Sequence, residues 1–144
     1  MKTLAENRKA YHDYHILDVY DAGIILFGYE VKQIRNGDMS LVGSHITIKN
    51  NIVLLHNSYV KPNASYSYEQ DSKRVRVLLL NQSEINKLVK HIELKGNTCI
   101  PLDIHVNDRG YIKIKIGLAK GKNAPDKREN DKLKEAKKEI KNYE

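Results

Sequence analysis

Between Tyr11 and Tyr20 the chain alternates, with Tyr14, Ile16, Asp18 and Tyr20 on one face and His15, Leu17 and Val19 on the other. A period of two predicts an extended strand. Asp21-Ala22-Gly23 reads as a bulge or bend, because a Gly inside a strand pattern marks one. Ile24-Ile25-Leu26-Phe27 then resumes as buried strand, which Gly28 ends. Glu30 to Arg35 changes period: Val31 and Ile34 share one helical face, and Lys32 and Arg35 an adjacent one. Asn36-Gly37 terminates this short helix. Leu41 to Lys49 and Ile52 to Tyr59 are two further strands, joined by a tight turn at Asn50-Asn51. Lys61 to Lys73 has no period and reads as loop.

Arg74 to Leu79 is again extended. Asn81-Gln82-Ser83-Glu84 has the spacing of a capping box, and Ile85, Leu88, Val89 and Ile92 follow at helical intervals until Gly96. Thr98 to Val106 and Tyr111 to Leu118 form a last hairpin, with Ile112, Ile114 and Ile116 facing in and Lys113 and Lys115 facing out. The order is three strands, a loop, a helix and two strands. A helix placed before the last two strands of a small antiparallel barrel is the OB-fold arrangement. The expected fold is therefore mainly β, an OB-fold antiparallel barrel with short added helices.

Residues 1–119 form the expected barrel domain and 120–144 a basic C-terminal tail. Pro125 stops a helix from running through Ala124. Beyond it Leu133, Ala136, Ile140 and Tyr143 make a thin helical stripe surrounded by charge. So short and polar a segment is expected to be disordered alone and helical on a partner.

Charge narrows the partner class. The 144 residues carry 25 Lys and Arg against 18 Asp and Glu, a net charge of +7. That balance favours a polyanion. Asn7-Arg8-Lys9-Ala10 is polar and basic and is expected on the surface. Aromatic usage is lopsided, with Tyr 9, Phe 1 and Trp 0. Tyrosine can stack on a base while its hydroxyl stays wet, although a half-buried strand position is its ordinary place. Cys99, the lone cysteine, sits in an apolar run and is expected in the core. One cysteine allows no internal disulfide, which suits a reducing cytosol. The first residues lack an apolar signal core, and no stretch reaches the roughly 20 apolar residues of a membrane span. A soluble cytoplasmic protein without a membrane partner is expected.

Enzyme chemistry finds little support. His12 and His15 would lie on opposite faces of a strand, with no further metal-ligand motif beside them. Ser44 and His45 are adjacent, so on a strand they point apart and form no nucleophile–base pair. There is no G-x-S-x-G, P-loop or dinucleotide-binding glycine motif, and Asp103, Asp108 and Asp126 are scattered. No catalytic residue, metal or cofactor is expected. Arg8-Lys9, Lys32 with Arg35, and Lys120-Gly121-Lys122 are basic groups suited to phosphate. Charge alone supports a nonspecific nucleic-acid binder equally well.

Three separated motifs sharpen this. Asn7-Arg8-Lys9-Ala10-x-His12-Asp13-Tyr14, with Ala22-Gly23-Ile24 and Gly28-x-Glu30-Val31-Lys32-x-x-Arg35-x-Gly37, resembles the opening of the SsrA-binding protein (small protein B) family. Leu78-Leu79-Leu80, Glu84-Ile85 and Lys87-Leu88 match next, and Gly117-Leu118-Ala119-Lys120-Gly121-Lys122 with Asp126-Lys127-Arg128-Glu129 match in the same order. The resemblance implies an OB-fold protein, not an enzyme, that binds the tRNA-like domain of transfer-messenger RNA and delivers it to stalled ribosomes for trans-translation. It implies Asn7, Arg8, Lys9, Tyr14, Glu30, Lys32, Arg35, Lys120, Gly121 and Lys122 as RNA-surface candidates. Glu30, being acidic, has the alternative role of holding Lys or Arg side chains in place. The tail is implied to occupy the vacant decoding site and mRNA channel, with Asp126, Lys127 and Arg128 at its root. Implied partners are transfer-messenger RNA, the small ribosomal subunit with its rRNA and, through the RNA, alanyl-tRNA synthetase and elongation factor Tu. The chain itself is expected to be a monomer. It departs from the family pattern at Asp21, where Glu is usual, at Tyr29, where Thr is common, and at Pro125, where an aromatic residue or His often stands. A general OB-fold RNA binder is the alternative, with a small RNA-processing enzyme behind it.

Overall fold

The local signals that fixed the expected hairpin and helix are both built. A computed structural model describes residues 2–67 and 69–121. In it Asn50 and Asn51 both have positive φ, 53° and 65°, as a tight hairpin turn requires. The Asn81 side chain accepts from the Glu84 amide at 3.0 Å, and the Asn81 amide donates to Glu84 Oε1 at 3.2 Å. Gly96 closes that helix in the left-handed conformation, φ 68°.

The elements run β1 (Lys2–Glu6), α1 (Arg8–Asp13), β2 (Tyr14–Ile24), α2 (Gly28–Arg35), β3 (Met39–Ser40) and β4 (His45–Lys49). They continue with β5 (Ile52–His56), β6 (Tyr59–Val60), β7 (Arg76–Leu79), α3 (Gln82–Lys95), β8 (Thr98–Val106) and β9 (Ile112–Gly121). A 7-stranded sheet has the order β1-β8-β9-β2-β7-β5-β4, and its neighbours pair antiparallel. β3 and β6 form a separate pair. β4, at one end of the order, also packs beside β8, so the sheet curls around its core. The fold is mainly β with short helices, and α3 enters before the last hairpin as expected.

Two apolar clusters lie on opposite faces of the sheet. The larger holds Ile34, Leu55, Leu88, Cys99, Ile104, Ile114, Ile116 and Leu118. The smaller holds Ala10, Ile100, Leu102 and Ala119, with Tyr14 and Ile16 against it. Adjacent strand residues point to opposite faces, so Cys99 beside Ile100 and Leu118 beside Ala119 separate the two. Bulges make this possible. The ladder shifts between Ile16 and Asp18 on β2 and between Pro101 and Asp103 on β8. Each extra residue reverses which face the following positions take. Tyr14 and Ile16 therefore join the smaller cluster while Tyr20 and Ala22 join the larger.

Several expectations are corrected. The bulge of β2 falls at Leu17, not at Asp21-Ala22-Gly23, which pair regularly with Lys115, Ile114 and Lys113. Segment 24–27 is not buried strand: β2 stops at Ile24, and Ile25 and Phe27 are 46% and 52% exposed. The strand expected from Leu41 to Lys49 is confined to β4, because 42–43 form a turn with Gly43 at φ 76°. The one expected from Ile52 to Tyr59 breaks at Asn57, φ 61°. β1 and α1 were not foreseen, and Ala10 is buried rather than on the surface. His12 lies on α1 and His15 on β2, not on one strand. β9 runs two residues past the expected domain boundary at 119, so Lys120 and Gly121 belong to the sheet.

Candidate nucleic-acid interface

The smaller cluster exists because α1 lies over the outer face of β8, β9 and β2, and this brings distant basic residues together. Asn7 pins the helix start: its amide donates to Leu102 O at 2.8 Å and its Nδ2 to Pro101 O at 2.8 Å. Arg8 and Lys9 follow on the exposed side of α1, and Arg8 pairs with Glu6 at 3.0 Å while remaining 90% exposed. Tyr14 opens β2 and pairs in register with Gly121, the last residue of β9, while His15 pairs with Lys120. Asn7, Arg8, Lys9, Tyr14, Lys120 and Gly121 thus converge at one end of the sheet. Lys122, Asp126, Lys127 and Arg128 lie outside the described residues.

Glu30, Lys32 and Arg35 gather elsewhere, on α2. Arg35 donates to Gly110 O at 2.8 Å, at the turn that starts β9. With about 3.3 Å of rise per residue, the length of β9 puts the two groups roughly 30 Å apart. Lys32 is exposed, its ammonium 5.5 Å from the centroid of the Tyr66 ring.

Glu30 is not a surface residue. It is fully buried, with Oε1 and Oε2 enclosed by two arginines. Arg74 Nη2 reaches Oε1 at 2.5 Å, and Arg76 Nη2 and Nε reach Oε2 at 2.6 and 3.0 Å. The Phe27 amide donates to Oε1 at 2.8 Å. Burial works against the charged carboxylate, but the bonds from Arg74 and Phe27 and the field of Arg76 outweigh it and hold its pKa below the ordinary value. Arg76, also fully buried, donates onward to Ser58 O and Ser58 Oγ at 3.0 and 2.9 Å. The alternative reading of Glu30 is the one built here: it holds arginines and so clamps α2 to β7.

With both groups placed, comparison with known proteins identifies the frame. The model of the SmpB protein family matches residues 4–143. The chain belongs to the SmpB protein family. The SsrA-binding protein of Coprothermobacter proteolyticus is 44% identical over 142 residues, covering 97% of this chain and 95% of its own length. The SsrA-binding protein of Thermus thermophilus is 44% identical over 133 residues, covering 92% of each chain. A chain in a solved structure described as "tmRNA-SmpB: a journey to the center of the bacterial ribosome" matches with a TM-score of 0.69 and 45% identity, over 88% of this chain and 89% of that one.

In this SmpB chain the motif residues divide into packing and display. Asn7, Tyr14 and Glu30 are tied into the fold, whereas Arg8, Lys9, Lys32, Arg35 and Lys120 present charge to solvent. Other polar pairings escaped sequence reasoning. His105 on β8 is 2% exposed, and its ring nitrogens face Asp103 Oδ1 at 2.8 Å and Asp21 Oδ1 at 2.9 Å, bridging β8 to β2 across β9. Lys115 Nζ lies 3.7 Å from Asp103 Oδ2. The available signal was polar residues at every second position, Asp103 and His105, within an otherwise apolar strand. Among the described residues, no cluster of three or more His, Cys, Asp or Glu could hold a metal, and no helix is long and apolar enough to cross a membrane.

Proposed function

We propose that this chain binds the tRNA-like domain of transfer-messenger RNA and carries it to stalled ribosomes for trans-translation. The observation that carries the reading is similarity at 44% identity to an SsrA-binding protein over 97% of the chain. The similarity to a chain from a tmRNA–SmpB structure supports the same partners. On this reading the protein is a cytoplasmic, monomeric and noncatalytic adaptor. Arg8, Lys9, Lys120, Gly121 and Lys122 bind RNA phosphates at the α1 end, with Asn7 and Tyr14 shaping that surface. Lys32 and Arg35 supply a second basic post. The tail from Asp126, Lys127 and Arg128 onward enters the vacant decoding site and mRNA channel. Alanyl-tRNA synthetase and elongation factor Tu meet the protein through the RNA.

Competition gel shifts at moderate salt test the specific reading. The tRNA-like domain should displace labelled probe at lower concentration than bulk tRNA or unstructured RNA. Equal competition by all three would leave only a general RNA binder. Replacing Asp126, Lys127 and Arg128 with Ala should spare RNA affinity and abolish peptide tagging in a reconstituted rescue reaction. A drop in RNA affinity would instead assign the tail root to the RNA grip.

A further inference from the structure

The loop that precedes β7 faces the start of α2 across a cavity of about 500 Å³, lined by Phe27, Gly28, Tyr29, Glu69, Asp71 and Arg74. Phe27, the chain's one phenylalanine, is 52% exposed here instead of buried. It is also rigidly backed: the Arg74 guanidinium lies 4.2 Å from its centroid, and Arg74 is itself fixed by Glu30 and by Ile25 O at 3.2 Å. Glu69 is exposed and makes no hydrogen bond among the described residues, whereas Asp71 Oδ1 takes the Lys73 amide at 3.1 Å. Lys32 and Arg35 project from the same helix.

A fixed, half-exposed aromatic beside cations is a platform for an unpaired base. An ionised carboxylate only accepts hydrogen bonds. Beside such a platform it selects a base edge with two adjacent donors and repels bases that present an acceptor there. Guanine, with N1–H and N2–H side by side, meets that demand; adenine and uracil do not. We propose that this cavity is a nucleobase pocket that takes an unpaired guanine of the RNA partner. Phe27 stacks on the base, Glu69 accepts from its Watson–Crick edge, and Lys32 and Arg35 meet the flanking phosphates. The acidic rim keeps phosphates out of the cavity itself and fixes which end of the nucleotide enters. This deepens the RNA-binding reading above and rests on it.

Fluorescence anisotropy on the full chain tests it, with uridine pentamers carrying guanine, hypoxanthine or adenine at the centre. The guanine pentamer should bind about 10-fold tighter than the adenine one, with hypoxanthine, which lacks the N2 amine, between them. Glu69→Gln, at an exposed position, should bring the guanine-to-adenine ratio to about one. Phe27→Leu, which keeps apolar bulk against Arg74, should weaken all three pentamers by about 10-fold. A wild-type ratio of one, a ratio that survives Glu69→Gln, or no binding of any pentamer overturns the pocket. Guanosine monophosphate competing as well as the guanine pentamer would assign the site to a free nucleotide and overturn the RNA assignment. The tRNA-like-domain competition above is read separately, so loss of that preference with the pentamer ratio intact would sink the partner and not the pocket.

Discussion

The two ends of β9 use charge in opposite ways. At the α1 end, Arg8, Lys9 and Lys120 stand in solvent, and what holds them in place is apolar: Ala10, Ile100, Leu102 and Ala119 beneath the helix. At the α2 end Lys32 and Arg35 are also exposed, but what holds their helix in place is charged instead of apolar. A carboxylate and a guanidinium, Glu30 and Arg76, are fully buried, with Arg74 completing the triad, while an aromatic ring and aliphatic side chains are left outside. A net charge of +7 conceals this division. The first set costs the fold little and is available to a partner. The second is committed to the fold, because a buried ion group is costly unless every member keeps its partners.

Breaking the buried triad should have the largest effect. Glu30→Ala leaves Arg76 buried without its counter-charge and should cost about 3–5 kcal/mol, read as the shift in a denaturant midpoint. A drop below about 1 kcal/mol would mean the triad is not the clamp. Acid probes the same group. Glu30 has a lowered pKa, so its contribution is complete above its ordinary value of 4.5 and is lost as pH falls through the lower folded value. Stability should therefore drop on acidification from about 4.5 downward through the lower folded value, and Glu30→Gln should flatten this part of the profile.

The small cluster comes next. A Cβ added to Gly117 would lie 3.1 Å from Leu102 Cδ1 and 3.3 Å from Ile16 Cγ2. Gly117→Ala should cost about 1–3 kcal/mol in a thermal or denaturant melt by overpacking the layer under α1. Asn7→Ala removes the bond to Pro101 O and should cost about 1–2 kcal/mol in the same assay. Smallest in stability is the joint replacement of Arg8, Lys9 and Lys120 by Ala, expected within about 0.5 kcal/mol of the parent. That variant should instead lower the slope of log affinity against log salt by up to about 0.9 for each phosphate it no longer neutralises. A large stability loss there would erase the contrast between the two ends. Cys99 offers a check on global integrity: burial pushes its thiol up to about 12, so thiol reagents should modify it only at the rate of opening.

Local signals in this sequence were legible where one or two residues decide the backbone. Asn50-Asn51 and the Asn81–Glu84 box each specify their own geometry without help from the rest of the chain. Ile114 and Ile116 likewise point inward as their alternation implied. What stayed hidden depends on distant partners. β1 has no apolar pattern of its own and exists because β8 offers it an edge. α1 is too short for its periodicity to register, and is held by Asn7 bonding to residues more than ninety positions away. Arg76 points inward from β7, which the buried Glu30 and Ser58 make tolerable. In the candidate site, the fold sorts the motif residues into those that display charge and those that hold shape, a division that the motif spacing does not carry.

The continuation of β9 through Lys120 to Gly121 also has a mechanical consequence. Gly121 ends a strand flanked by β2 on one side and β8 on the other. A pull along that strand axis loads both ladders in shear, so many hydrogen bonds share the force before any breaks. A pull on β1, which pairs only with β8, peels an edge strand bond by bond. Tension applied at Gly121 would therefore be shared by both ladders and reach Tyr14, its partner on β2, beside the α1 surface.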